Sequence, residues 1–207
     1  PELSPIKREQ IMRGALELFR EHGYERASVD AIATRAGVSK ATIYNHFHDK
    51  KALFLATFGA ETEGVRKKFL SVLETPSGDI EADLRQIGER LLQLISAPSD
   101  VQRFRLICAE AERFPELGTA FYDCTMKVGR ERMVRFFERA SAAGHLEVHD
   151  AKDAATDFSA LVAGDVSRKL HLGVIDRLSD EILQAHVQRA VRTFLRAYLP
   201  LEPKARA

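Results

Sequence analysis

Residues 28–51 constrain this chain more than any other stretch: S-V-D-A-I-A-T-R-A-G-V-S-K-A-T-I-Y-N-H-F-H-D-K-K. Val29, Ile32 and Ala33 recur at helical spacing, and so do Ile43 and Phe47. Gly37 lies between the two patterns, where a helix can end on a left-handed residue without a Cβ penalty. Ser39 follows, a good N-cap that restarts the chain as a helix. Two short helices joined this tightly around a glycine predict a helix-turn-helix.

A wheel of the second helix indicates what it could read. With Ile43 at the core and about 100° per residue, Phe47 falls beside it. Ala41 and Asn45 then point away, with Thr42 and Tyr44 on the flanks. That outward face is small and polar enough to enter a DNA major groove. Asn pairs bidentately with adenine, and an Ala methyl packs on a thymine methyl. Lys40, Tyr44, His46 and Lys50 are within reach of phosphates, which fix register without reading sequence. Ser28, expected to cap the first helix of this pair (the second of the chain), and Ser39 offer hydroxyls beside exposed N–H groups, a further phosphate site. The same face also suits a solvated surface on some other small helical domain.

With 207 residues, 45% of them apolar, the chain has material for a sizeable core. Its apolar runs are too short for a membrane span. No basic-then-apolar leader is visible, so the expected location is the cytoplasm. The net charge of +1 decides little. Residues 1–51 hold nine Lys/Arg and seven Asp/Glu, a small excess for a nucleic-acid binder, although the basic residues bracket the second helix. Cys108 and Cys124 make no metal spacing and are expected as buried small hydrophobes. His46/His48 and His145/His149 do not form a helical ligand pair. No metal, cofactor, paired catalytic carboxylates or glycine-rich phosphate loop is expected, hence no enzyme.

Taken in order, the chain reads as all-α with about nine helices and no β-period run. Ile11, Ala15, Leu18 and Phe19 stripe a first helix that Gly23 ends; it packs over the helix-turn-helix and completes a three-helix domain, residues 1–50. Asp49 caps a long fourth helix to about Glu74, broken by Thr75-Pro76-Ser77-Gly78. Helices are then expected over about 79–96, 100–113, 114–143, 151–172 and 179–199, with a loose tail over 201–207. The helix over 114–143 is apolar on two sides and therefore central. Residues 51–200 form a larger helical domain for ligand binding and dimerisation.

Two resemblances sharpen this reading. The run A-L-E-L-F-R-E-H-G-Y-E-R-A-S-V-D-A-I-A, continued by G-V-S-K-A-T-I-Y-N-H-F-H-D-K-K-A-L-F, resembles the N-terminal domain of TetR/AcrR-type transcriptional regulators over roughly residues 10–58. The runs A-E-R-F-P-E-L-G-T-A-F-Y and A-A-G-H-L-E-V-H-D-A-K-D-A-A-T-D-F-S-A-L-V-A-G are similar to the C-terminal domain of the AefR-like branch, over roughly 109–173. The resemblance implies nine helices and a homodimer.

The expected function is a transcriptional regulator, a repressor released from a palindromic double-stranded operator by a small molecule, apolar or amphipathic. A constitutive or partner-controlled DNA binder, or a helical enzyme carrying a helix-turn-helix, are the alternatives. Wide apolar faces on the last two helices mark Phe158, Val162, Val166, Val187, Val191, Phe194 and Tyr198 as a dimer bundle; a terminal cap on the monomer core is the other reading. Phe58, Phe69, Phe104, Cys108, Phe121 and Phe158 are candidates to line a pocket, or equally ordinary core. Asp165, Arg168, Lys169 and His171 read as ion pairs at helical spacing, with a polar ligand head as the lesser alternative.

Overall fold

A computed structural model describes the backbone of residues 4–200, and their side chains except those of residues 58–63 and 65. Ten α-helices run in order among the described residues: α1 Pro5–Arg26, α2 Val29–Ala36, α3 Lys40–His46, α4 Lys50–Glu74, α5 Ile80–Ser96, α6 Pro98–Ala111, α7 Pro115–Phe121, α8 Lys127–Ala142, α9 Ala151–His171 and α10 Asp180–Tyr198. The helix expected over 114–143 is divided in two. A π-helical turn, Tyr122–Met126, separates α7 from α8 and accounts for the tenth helix. A π-turn holds about one residue more than an α-turn, so the apolar pattern shifts across it while the sequence on both sides still reads as helix.

Helix boundaries follow local chemistry. The Asp49 carboxylate accepts the Ala52 N–H at 2.7 Å and starts α4. Asp79 caps α5 and Ser179 caps α10 in the same way. At Gly23 the backbone takes φ 75° and ψ 176°, so regular α-helix stops there and only a short turn continues to Arg26. The break after α4 is held by Asp83, whose two carboxylate oxygens accept the Ser77 N–H at 2.8 and 3.1 Å.

Two compact units result, and they are not consecutive in sequence. The first comprises residues up to Glu63 together with Gln102–Tyr122; the second comprises Gly64–Val101 and the chain from Asp123 onward. This packing division differs from a simple cut at residue 50. Its cause is the apolar face of the 102–122 segment: Ile107, Leu117 and Phe121 are buried in one core with Ile11, Phe19, Ile32, Ile43, Phe47, Leu53 and Phe54. Tyr24 joins this core, its ring edge-on to Phe54 at 5.0 Å and to Phe114 at 5.2 Å.

The second unit packs α5, α9 and α10 together, with α8 against α9. Phe137, Phe158 and Phe194 meet at its centre in edge-on and tilted contacts with ring centroids 5.2–6.0 Å apart, all fully buried. Close packing is made possible by Gly88, where a Cβ would stand 2.8 Å from Val187 Cγ1. Within α9, Gly164 leaves helical geometry, and His186 Nε2 reaches the Val162 carbonyl at 2.9 Å. No described helix is long and apolar enough to cross a membrane. The tail expected over 201–207 lies outside the described residues.

Candidate nucleic-acid interface

The helix-turn-helix is built by the residues that announce it. Ser28 Oγ accepts the Ala31 N–H at 3.1 Å and opens α2. Gly37 closes α2 in the left-handed conformation, φ 65° and ψ 35°, and its N–H turns back to the Ala33 and Thr34 carbonyls. Two residues later Ser39 Oγ accepts the Thr42 N–H at 3.1 Å and lies 2.8 Å from Thr42 Oγ1. These caps fix where α3 begins and in which direction it leaves the turn.

Burial fixes its rotation. Ile43 and Phe47 are driven into the first core, at 2% and 5% exposure. Ala41, Tyr44 and Asn45 are consequently exposed, while Thr42 and His46 are half-buried at the margin. His46 Nδ1 is shielded from solvent and makes no hydrogen bond. The face expected from the helical wheel is thus the one presented to solvent.

The two lysines of the candidate set are placed differently from each other. Lys40 is exposed, with Nζ 2.9 Å from Asp30 Oδ2 on α2, a partner that holds its ammonium above the usual lysine range. Lys50 turns back into its own unit. Its Nζ donates to the Glu25 carbonyl at 2.9 Å and lies 4.6 Å from the Tyr24 ring centroid. Desolvation there pushes its pKa down, against opposing pulls from Glu110 and Glu25. Lys50 therefore braces the junction of α1 and α4 instead of standing out toward solvent.

Several supporting residues were not legible in the sequence. Gly14 lets α1 cross α2 closely: a Cβ there would stand 3.1 Å from Ala36 N and 3.3 Å from Ala36 Cα, backbone atoms immediately before the turn. Arg35 on α2 is held to α1 by Glu17 at 3.1 Å and Glu21 at 3.2 Å. Arg8 lies over the Phe47 ring at 5.1 Å. Glu110, 86 residues away in sequence, accepts the Tyr24 N–H at 2.8 Å beside the Gly23 break, and Arg113 pairs with Glu25 at 2.5 Å. Of these, only Gly14 carries a local signal, since a glycine inside a helix is unfavourable on propensity alone.

The other candidate sets are placed as follows within the chain. Phe158, Val162, Val166, Val187, Val191 and Phe194 are all buried within the second core, so their faces are already used inside the chain. Tyr198 is half-buried, its ring stacked on Phe194 and its hydroxyl donating to Asp157 at 2.7 Å. Apolar periodicity marks a buried face but not what buries it, and here α5 and α8 supply the cover. Of the pocket candidates, Phe104 and Phe121 belong to the first unit and lie 6.4 Å apart, whereas Phe69 and Phe158 belong to the core of the second. Phe58 falls outside the described side chains.

Cys108 and Cys124 are both exposed, not buried. On α6 it is the adjacent Ile107 that faces inward, and a one-residue step turns Cys108 by about 100° away from it. Lys169 and Asp165 form an exposed ion pair at 2.6 Å, as their spacing suggested. Among the described residues no group of three or more His, Cys, Asp or Glu side chains converges as a metal site would.

Comparison with known proteins bears on the same two regions. Residues 11–57 match the family model described as bacterial regulatory proteins, tetR family, and residues 82–200 match that of the AefR-like transcriptional repressor C-terminal domain. The solved structure of the flavonoid-responsive regulator FrrA is 33% identical, covering 96% of this chain and 100% of that one with a TM-score of 0.81. A structure described as a TetR-family regulator from Mesorhizobium loti is 28% identical, covering 94% of this chain and 97% of that one at a TM-score of 0.80. An uncharacterised HTH-type regulator of Mycobacterium tuberculosis is 32% identical over 108 residues, 52% of this chain. The match spans half the length of that relative.

Proposed function

Because the chain belongs to the TetR family of bacterial regulators, with an AefR-like C-terminal domain, we propose that it is a DNA-binding transcriptional repressor released from its operator by a small molecule. The observation that carries this reading is the exposed face of α3, where Ala41, Tyr44 and Asn45 stand clear of a helix whose start and rotation are fixed. Ala41 and Asn45 contact base edges, with Thr42 at their side. Ser28, Ser39, Lys40, Tyr44 and His46 engage the backbone, and Lys50 supports the head from behind.

A homodimer places two α3 helices in successive major grooves, about 34–36 Å apart, on a palindromic site. With the apolar faces of α9 and α10 spent on the monomer core, pairing uses their outward faces, where Ala160 and Ala185 are exposed small residues. In functional terms residues 1–50 read DNA and residues 51–200 bind the effector and dimerise. The packing of residues 102–122 with the DNA-reading helices supports a route for the signal: whatever moves that segment pulls on Tyr24 through Glu110. An effector acts only by binding two arrangements unequally. An apolar or amphipathic effector is in keeping with FrrA, a relative whose name records a response to flavonoids.

The test is selection of bound duplexes from random DNA, followed by a screen for compounds that release the selected site. The reading predicts a palindrome with half-sites one helical turn apart, and release by an amphipathic compound. Selection yielding no enriched sequence would overturn it.

A further inference from the structure

Lys40 is the first residue of α3, where a cation opposes the helix dipole, and the first turn of α3 contains no acid of its own. The compensating charge comes from the neighbouring helix. Asp30, in the first turn of α2, puts Oδ2 at 2.9 Å from Lys40 Nζ. Both side chains are open to solvent, 72% for Asp30 and 50% for Lys40. The carboxylate thus takes up, at hydrogen-bond distance, one of the three N–H donors that Lys40 could offer to a backbone phosphate oxygen.

We propose that Asp30 is a built-in phosphate mimic: its carboxylate holds Lys40 in the free protein, and a DNA phosphate must displace it when α3 enters the groove. This inference rests on the DNA-binding reading above. It makes Asp30 a restraint on affinity, chiefly on binding that depends on charge alone. Neutralising a phosphate with a free lysine releases a condensed cation, and log K then falls with log salt by about 0.9 per contact. Here the liberated Asp30 carboxylate stays beside the phosphates and repels them, so the net charge that Lys40 brings to the DNA is small. Lys40 therefore adds little to the salt dependence of the wild-type protein.

The experiment measures affinity against salt concentration for the selected operator and for a mixed-sequence duplex, using wild type, Asp30→Asn, Lys40→Ala and the double variant. Asp30 lies outside the core and the Ser28 cap is untouched, so the variants fold; unchanged circular dichroism and melting verify this. Asp30→Asn should tighten binding about 2- to 5-fold per DNA-engaged head, the range expected for an exposed ion pair. It should also steepen the salt slope by about 0.9 per head. Lys40→Ala should barely change the slope in wild type, but should erase the gain in the Asp30→Asn background.

An unchanged slope in Asp30→Asn would overturn the proposal. So would a gain that persists in the double variant, since it would then come from net charge and not from Lys40. If wild type binds neither duplex, the DNA-binding reading itself fails, and this inference with it.

Discussion

Replacing Gly14 by alanine separates the stability of the first unit from the aim of its reading helix. Gly14 lies within α1, and a Cβ there would meet Ala36 N at 3.1 Å and Ala36 Cα and Cβ at 3.3 Å. Ordinary contact begins near 3.4 Å, so the neighbour must yield a few tenths of an ångström. The nearest atoms are backbone of the last turn of α2, and no rotamer change can relieve them. Alanine gains about 1 kcal/mol in helix propensity, and overpacking costs roughly 1–3 kcal/mol. Net destabilisation is then between about 0 and 2 kcal/mol.

The larger consequence of Gly14→Ala is geometric. Ala36 precedes Gly37 and the turn into α3, so a displaced α2 terminus re-aims Ala41 and Asn45. Losing one well-formed base contact costs about 1–3 kcal/mol, which is roughly 5- to 160-fold in operator affinity. Thermal unfolding and operator titration of the variant check both halves. A variant that is stabilised by about 1 kcal/mol and binds its operator normally would refute the reasoning, because the gap between α1 and α2 would have slack.

In the second core, Gly88→Ala should cost about 1–2 kcal/mol of stability and so melt at a lower temperature, because its Cβ would meet Val187 Cγ1 at 2.8 Å and Val162 Cγ2 at 3.5 Å; Val187→Ala in the same chain should relieve that clash and restore part of the loss in a melting assay. Lys50→Met should reduce stability by about 1 kcal/mol through loss of the cation–ring contact, while leaving the salt slope of DNA binding unchanged; a shallower slope would mean that Lys50 reaches phosphate after all. Tyr198 has its pKa pushed up to about 12, by desolvation first and then by its hydrogen bond to Asp157. The folded state thus keeps a proton that the unfolded state gives up near pH 10, so this contribution is intact below pH 10 and is lost as pH rises toward 12. Alkaline melts of Tyr198→Phe should show a shallower decline than wild type, with a residual slope in the same direction from Tyr24, whose pKa burial also raises.

The parts of the fold that were readable from the sequence are those decided locally. Ser28, Gly37, Ser39 and Asp49 each act through a hydrogen bond or backbone angle within a few residues of themselves, and each stands where its type suggested. The rotation of α3 was readable because Ile43 and Phe47 are the only large apolar residues it offers to the core. What depends on a distant partner was not. Glu110 meets Tyr24 across 86 residues, and nothing in its local sequence announces that partner. Gly14 and Gly88 look like weak points in helices until the neighbouring elements come within contact distance. Phe194 reads as an interface residue from periodicity alone, yet it sits at zero exposure among Phe137, Phe158 and Tyr198. A charge at that position would disrupt the core before it could report on dimerisation.

The central claim is that the exposed face of α3 reads base pairs. Its most direct test is to select binding sites with wild type and with Asn45→Ala under identical salt, then compare preferences position by position. Base reading by Asn45 predicts that the variant loses its preference at one position in each half-site, costing about 1–3 kcal/mol on the best site, while the other positions and the salt slope stay as they were. Equal weakening on every sequence, with the site preference intact, would contradict it.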